Sequence, residues 1–104
     1  MPELNIEFDT EFEHEVQVIR AEKTIYRLTI RKAKVKELGL LGGEYLRLAL
    51  VKNGKMSIFE RKVTPVKTPT GHYFRVTIPR ETADYLGLSD VNRTVKAYVK
   101  VLER

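Results

Sequence analysis

Apolar residues recur at every second position along most of the chain. Leu4, Ile6 and Phe8, then Val16 and Val18, Tyr26, Leu28 and Ile30, Leu46, Leu48 and Leu50, Phe74, Val76 and Ile78, and finally Val95, Ala97, Val99 and Val101 are separated by single, mostly polar residues. Successive side chains of a strand point to opposite faces, so this period predicts strands with one face buried and the other wet. Asn53-Gly54 is a strong hairpin turn between two of them. Pro65, Pro69 and Gly71 bound a predicted loop at about 64 to 72. Helices are predicted at 32 to 38 and 80 to 86, because each segment runs into a glycine, Gly39 or Gly87, where a left-handed C-terminal cap would stand. The expected fold is mostly β, with a core that includes Leu28, Ile30, Leu38, Leu40, Leu48, Val76, Ile78, Leu86, Leu88 and Val99.

The same pattern occurs twice. A shift of 48 residues pairs Tyr26-Arg27-Leu28-Thr29-Ile30 with Phe74-Arg75-Val76-Thr77-Ile78, and Leu38-Gly39-Leu40 with Leu86-Gly87-Leu88. The following strands, Leu46-x-Leu48-x-Leu50 and Val95-x-Ala97-x-Val99, match if the second copy carries one extra turn residue around 89 to 93. Strand, short helix, glycine cap and strand in one order at one offset argue for an internal duplication. A copy of about 50 residues is too small to bury a good core alone, whereas two copies that complete each other are not.

With 104 residues the chain is one domain of two interleaved repeats, at about 16–60 and 64–102, preceded by an acidic arm, 1–15. No apolar run reaches the roughly 20 residues of a membrane helix, and the acidic start lacks the features of a secretory signal, so a cytoplasmic location is expected. The absence of cysteine removes disulfides, thiolate nucleophiles and cysteine metal sites. His14 and His72 stand apart and outside any metal or triad motif, and Gly42-Gly43 leads into no phosphate-loop sequence, so neither a metal nor another cofactor is expected.

Charge adds the first functional signal. Residues 1–15 hold Glu3, Glu7, Asp9, Glu11, Glu13 and Glu15 and no Lys or Arg. The remainder holds all 19 Lys and Arg against 8 acids, a surplus of 11. A body this basic points to a polyanion, most often nucleic acid, although Lys- and Glu-rich surfaces also occur in heat-adapted proteins.

Phe74-Arg75-Val76-Thr77-Ile78-Pro79-Arg80-Glu81, followed by Leu86-Gly87-Leu88, resembles the signature of the AbrB/SpoVT-like swapped-hairpin family: Gly-Arg-Val-Thr-Ile-Pro-Lys-Glu, a short helix, Leu-Gly-Leu, then Gly-Asp and a strand. The first repeat keeps Arg27-Leu28-Thr29-Ile30, Leu38-Gly39-Leu40 and Gly43-Glu44, but has Arg31 in place of the proline. The similarity spans about 16–52 and 64–101. It implies an intertwined β-barrel with two short helices, which two chains would form by exchanging hairpins or one duplicated chain would form as a pseudo-dimer. It also implies a DNA-binding transcriptional regulator without enzymatic activity. Carried over by position, Arg27 and Arg75 match the family's strand arginine, Arg20 a second arginine seven residues earlier, and Lys36 a basic position in the helix. The repeat-two positions equivalent to Arg20 and Lys36 are then Thr68, with Lys67 next to it, and Asp84.

The expected duplex-DNA contacts are Arg20, Arg27, Arg31, Lys32, Lys34 and Lys36, with Arg75 and Arg80 secondary. The planar fork of arginine suits phosphate and guanine, while Lys32, Lys34 and Lys36 precede any neutralising acid. The competing readings are a solvated helix face for the lysines and cross-strand salt bridges to Glu22 or Glu60 for the strand arginines. Tyr26, Tyr73 and Phe74 offer bases a stacking surface or, more commonly in barrels, fill the core. An antitoxin-like or structural protein-interaction module, its acidic arm engaging a partner, is the alternative function. The alternating Leu4, Ile6 and Phe8 form a candidate unpaired edge strand, which favours a homodimer.

Overall fold

The computed structural model describes residues 8–69 and 71–103. Eight strands and two helices follow in the order β1 (Thr10–Glu15), β2 (Gln17–Arg20), β3 (Thr24–Ile30), α1 (Lys32–Leu38), β4 (Tyr45–Lys52), β5 (Lys55–Lys62), β6 (Thr64–Thr68), β7 (Gly71–Ile78), α2 (Arg80–Leu86) and β8 (Thr94–Glu103). They form two antiparallel sheets, sheet A in the order β1-β8-β4-β5 and sheet B in the order β2-β3-β7-β6. Each sheet takes strands from both halves of the sequence, so the halves interleave as expected. Both sheets are open, however, and do not close into the single barrel that the family resemblance implies. No helix among the described residues is long and apolar enough to cross a membrane.

Inward residues of both sheets and both helices share one hydrophobic cluster, which contains all ten expected core positions. The Leu-Gly-Leu motif has a local explanation. Gly39 (φ 66°) and Gly87 (φ 70°) adopt the left-handed conformation that ends each helix. The amides of Leu40 and Leu88 then reach back to the carbonyls of Val35 and Ala83, both at 3.0 Å, and bury the second leucine of each motif in the core. Helices of seven residues are too short to persist alone, so this packing holds them. Pro79 stands at the N-cap of α2 with φ −58°. Asn53 and Gly54 both have positive φ, as the tight β4–β5 hairpin requires.

The duplication appears as a pseudo-twofold axis. In sheet B, Leu28 lies opposite Val76, its own counterpart, and the flanking pairs Tyr26–Ile78 and Ile30–Phe74 exchange under the same operation. In sheet A the axis passes through Ala49 and Tyr98, 49 residues apart, which bears out the extra turn residue before β8. The symmetry continues to the edges: β5 flanks β4 as β1 flanks β8. The Val16 amide donates to the Arg93 carbonyl (2.7 Å), just as the Val63 amide donates to that of Glu44 (2.9 Å). Phe12 and Phe59 are therefore equivalents 47 residues apart, and both pack on the core.

Two boundaries differ from the sequence reading. The charge boundary at 15/16 does not separate an arm from a domain, because Thr10–Glu15 is hydrogen-bonded along β8. Complete repeats run over 10–52 and 55–103, turning at Asn53-Gly54. The expected loop at 64 to 72 instead holds the β6–β7 hairpin. Pro65 is tolerated there because β6 is an edge strand, where a missing N–H removes no ladder bond from the middle of a sheet. Of the alternating Leu4, Ile6 and Phe8, the first two lie outside the described residues, while the Phe8 ring packs on Tyr98 at 5.6 Å.

Candidate nucleic-acid interface

The four strands of sheet B carry Arg20, Arg27, Lys67 and Arg75 and not one acid, whereas those of sheet A carry Glu11, Glu13, Glu15, Glu60 and Glu103. Alternation along β3 and β7 turns Leu28, Ile30, Val76 and Ile78 into the core, and so turns Arg27 and Arg75 to the opposite, outer face. Arg27 stands across from Thr77 on one side and Gln17 on the other; Arg75 stands across from Thr29 and Thr64. The two arginines are thus diagonal neighbours astride the pseudo-twofold, a spacing of about 7–8 Å by general sheet geometry. Neither makes an ion pair among the described residues, and Glu60, one of the acids considered for them, binds Arg47 at 2.9 Å. The Nε of Arg27 is buried without a hydrogen-bond partner. Ile19 with Ile25, and Val66 with Tyr73, flank the arginines as symmetric apolar pairs. Of the aromatic residues considered for stacking, Phe74 is in the core, Tyr26 packs against it, and Tyr73 lies on this outer face.

The basic run at α1 does not form one surface. A helix separates positions two apart, so Lys32 and Lys36 share one side and Lys34 another. Lys34 turns towards β1, where its Nζ donates to Thr10 Oγ1 at 2.8 Å and approaches Glu37 at 3.3 Å. The equivalent contact in the second repeat is Thr82 Oγ1 to Ser57 Oγ at 2.9 Å, so Lys34 occupies the place of a helix-to-sheet tether. The Thr10 hydroxyl and Lys34 together hold the Glu37 carboxyl below its ordinary value. Arg31 caps α1 without a side-chain bond. Its charge adds to burial in lowering the pKa of His14 on β1, whose Nδ1 has no hydrogen-bond partner.

Lys32 and Lys36 rim a cleft of about 540 Å3 between α1 and β6, joined by Lys67 and floored by Val35, Leu40, Leu41, Pro65 and Phe74. The sequence offset assigned Thr68 as the counterpart of Arg20. Strand register corrects this to Lys67, because Arg20 pairs with Thr24 and Lys67 with His72, and Thr24 and His72 are themselves 48 apart. The β6–β7 turn is one residue longer than the β2–β3 turn, which a rigid sequence shift cannot register.

The other expected contacts are engaged within the molecule. Arg20 pairs with Asp90 in the turn after α2, its Nε donating at 3.0 Å. Arg80 lies 3.8 Å from Asp84 one turn along α2. Arg27, Arg31, Lys32, Lys36, Lys67 and Arg75 thus remain as cations without an ion-pair partner among the described residues, on sheet B and the adjoining side of α1. No cluster of three or more potential metal ligands occurs among the described residues. Comparison with known proteins adds no relative: no family model, no curated protein and no solved structure matches the chain.

Proposed function

We propose that this protein is a transcriptional regulator that binds double-stranded DNA through the outer face of sheet B and the adjoining side of α1. The observation that carries this reading is the segregation of charge: the strands of sheet B carry no acid, and three of their four cations, Arg27, Lys67 and Arg75, have no ion-pair partner among the described residues, while Glu11, Glu15 and Glu60 pair with bases around sheet A. An uncompensated cationic face costs self-repulsion unless an anion occupies it, and phosphate is the anion that rewards several cations at once. Arg31, Lys32, Lys36 and Lys67 are assigned phosphate contacts. Arg27 and Arg75, held by strands and not by loops, are assigned to base edges or to the phosphates bordering one groove. Arg20, Lys34 and Arg80 have internal partners and contribute less. A homodimer in the cytoplasm would double this face, but each interleaved chain carries a complete one.

The test is fluorescence anisotropy with a labelled random duplex over a range of salt. Four phosphate contacts, or six if Arg27 and Arg75 also meet phosphates, predict a slope of log K against log salt of about −4 to −5. Replacing Lys32, Lys36 and Lys67 by Ala should flatten the slope by about three contacts' worth, and Lys34→Ala by much less. Absence of binding at low salt, or equal affinity for wild type and the triple variant, would overturn the reading.

A further inference from the structure

The pseudo-twofold relates the α1–β6 cleft to the place where α2 meets β2, and the two places are finished differently. On the α2 side, Arg20 of the edge strand is neutralised by Asp90 from the turn that follows the helix, and the Tyr26 hydroxyl donates to the Leu88 carbonyl at 3.4 Å. On the α1 side, Lys67 stands where Arg20 stands, Phe74 replaces Tyr26, and the matching turn reads Leu41-Gly42 with no acid at the place of Asp90. The one carboxylate of that turn, Glu44, is 5% exposed and accepts the amides of Leu41 and Gly42, both at 2.7 Å. Leu41 itself is 89% exposed beside Val35, Leu40, Pro65 and Phe74. The first repeat therefore offers three lysines around an apolar floor at a place where the second repeat supplies its own carboxylate.

We propose that this cleft docks a peptide segment of a partner protein in which an acidic side chain stands beside a hydrophobic one. The carboxylate would meet Lys67, Lys36 and Lys32 as Asp90 meets Arg20, and the hydrophobic side chain would cover Leu41, Val35 and Phe74. Charge complementarity and the molecule's own second repeat favour this occupant. Duplex phosphate satisfies the lysines but leaves the apolar floor uncovered, and an apolar peptide leaves the lysines unpaired. The proposal does not rest on the DNA reading, although the two share Lys32, Lys36 and Lys67.

The experiment uses the full chain and three fluorescein-labelled hexapeptides, of alternating Glu and Leu, Glu and Ser, and Lys and Leu. The Glu-Leu peptide should bind saturably and at least tenfold more tightly than either control, and added salt should weaken it. Lys67→Glu should reduce binding tenfold or more. Leu41→Asp should do the same by supplying the missing carboxylate from within. Because Leu41 is almost fully exposed, that variant should keep its wild-type circular dichroism and melting temperature. Because the cleft lysines are also assigned phosphate contacts, duplex affinity is read separately with Arg27→Ala and Arg75→Ala, which leave the cleft intact and should weaken duplex binding without changing peptide binding. Failure of the Glu-Leu peptide to bind up to about 1 mM, equal binding of the Glu-Ser peptide, or unaltered binding by folded Leu41→Asp protein would each overturn the proposal.

Discussion

Whether the acidic segment is an appendage or a strand of the domain can be decided at Phe12. Its ring lies opposite Ala97 in β8 and packs against the shared core, as its equivalent Phe59 does from β5 opposite Leu48. Truncation of a buried phenylalanine to alanine costs about 3–5 kcal/mol, the lost transfer energy plus the cavity. Phe59, 9% exposed, should fall in that range; Phe12, half-buried, should lose roughly half as much, about 2 kcal/mol. At about 4–8 °C per kcal/mol for a domain of this size, Phe12→Ala should melt roughly 10 °C lower than wild type. With no tryptophan in the chain, far-ultraviolet circular dichroism in a urea series is the direct assay, checked by tyrosine fluorescence. The slope against urea should stay unchanged while the midpoint drops. A Phe12→Ala midpoint that coincides with wild type, beside a strongly destabilised Phe59→Ala, would refute the equivalence of β1 and β5.

Burial and Arg31 hold the His14 pKa below 6.5, so as pH falls the unfolded chain takes up its proton first. Stability should be full above the ordinary histidine value and decline through it towards the lowered folded value; His14→Gln should flatten that part of the urea-midpoint curve, and an unchanged curve would refute the assignment. Gly87→Ala meets no atom within 4 Å of the added carbon, so its cost is the left-handed backbone alone, about 1–2 kcal/mol by chemical denaturation. A loss above about 4 kcal/mol would show that the cap does more than end the helix. Arg27→Ala and Arg75→Ala, equivalent across the pseudo-twofold, should weaken duplex binding by similar factors in anisotropy titrations, and a large disparity would mean that the duplex does not straddle the axis.

Elements whose signal is local were readable from sequence. The period of two marked the inward residues of β3, β4, β7 and β8, and the Leu-Gly-Leu motif placed both helix ends because the left-handed cap needs glycine at one position and an apolar residue after it. Positions set by pairing between strands were harder to read. Phe12-Glu13 with Val16 repeats as Phe59-Glu60 with Val63, yet the offset there is 47, and charge disguises it, since His14-Glu15 stands against Arg61-Lys62. Two prolines made β6 look like a loop, because sequence alone does not say which strand lies at an edge. Lys34 read as a free cation for a similar reason: only the packed helix shows that it occupies the place of Thr82. Lys67, read only as the neighbour of Thr68, would have emerged as the counterpart of Arg20 from allowing the hairpin turns to differ by one residue.

Symmetry of the frame explains where the two repeats are free to differ. Core pairs near the axis, such as Leu28 with Val76, meet their own counterparts, so a change in one repeat is felt at once by the other. Exposed positions have no such constraint, and the repeats have diverged there: Lys36 against Asp84, Leu41-Gly42 against the turn containing Asp90, and Glu15 against Lys62. The direction of the changes is consistent. Acids stand on β1, where Glu11 and Glu15 pair with Lys96 of β8 and Arg93 just before it, and on α2 and its following turn, where Asp84 and Asp90 meet Arg80 and Arg20. That leaves the side of sheet B next to α1 with cations that no carboxylate among the described residues meets. A duplicated core of this kind tolerates such an imbalance because its stability rests on apolar pairs on the inner side of each sheet. The unneutralised face is therefore available to a ligand without being required for folding, and this separation lets charge-removing substitutions test binding in a protein that still folds.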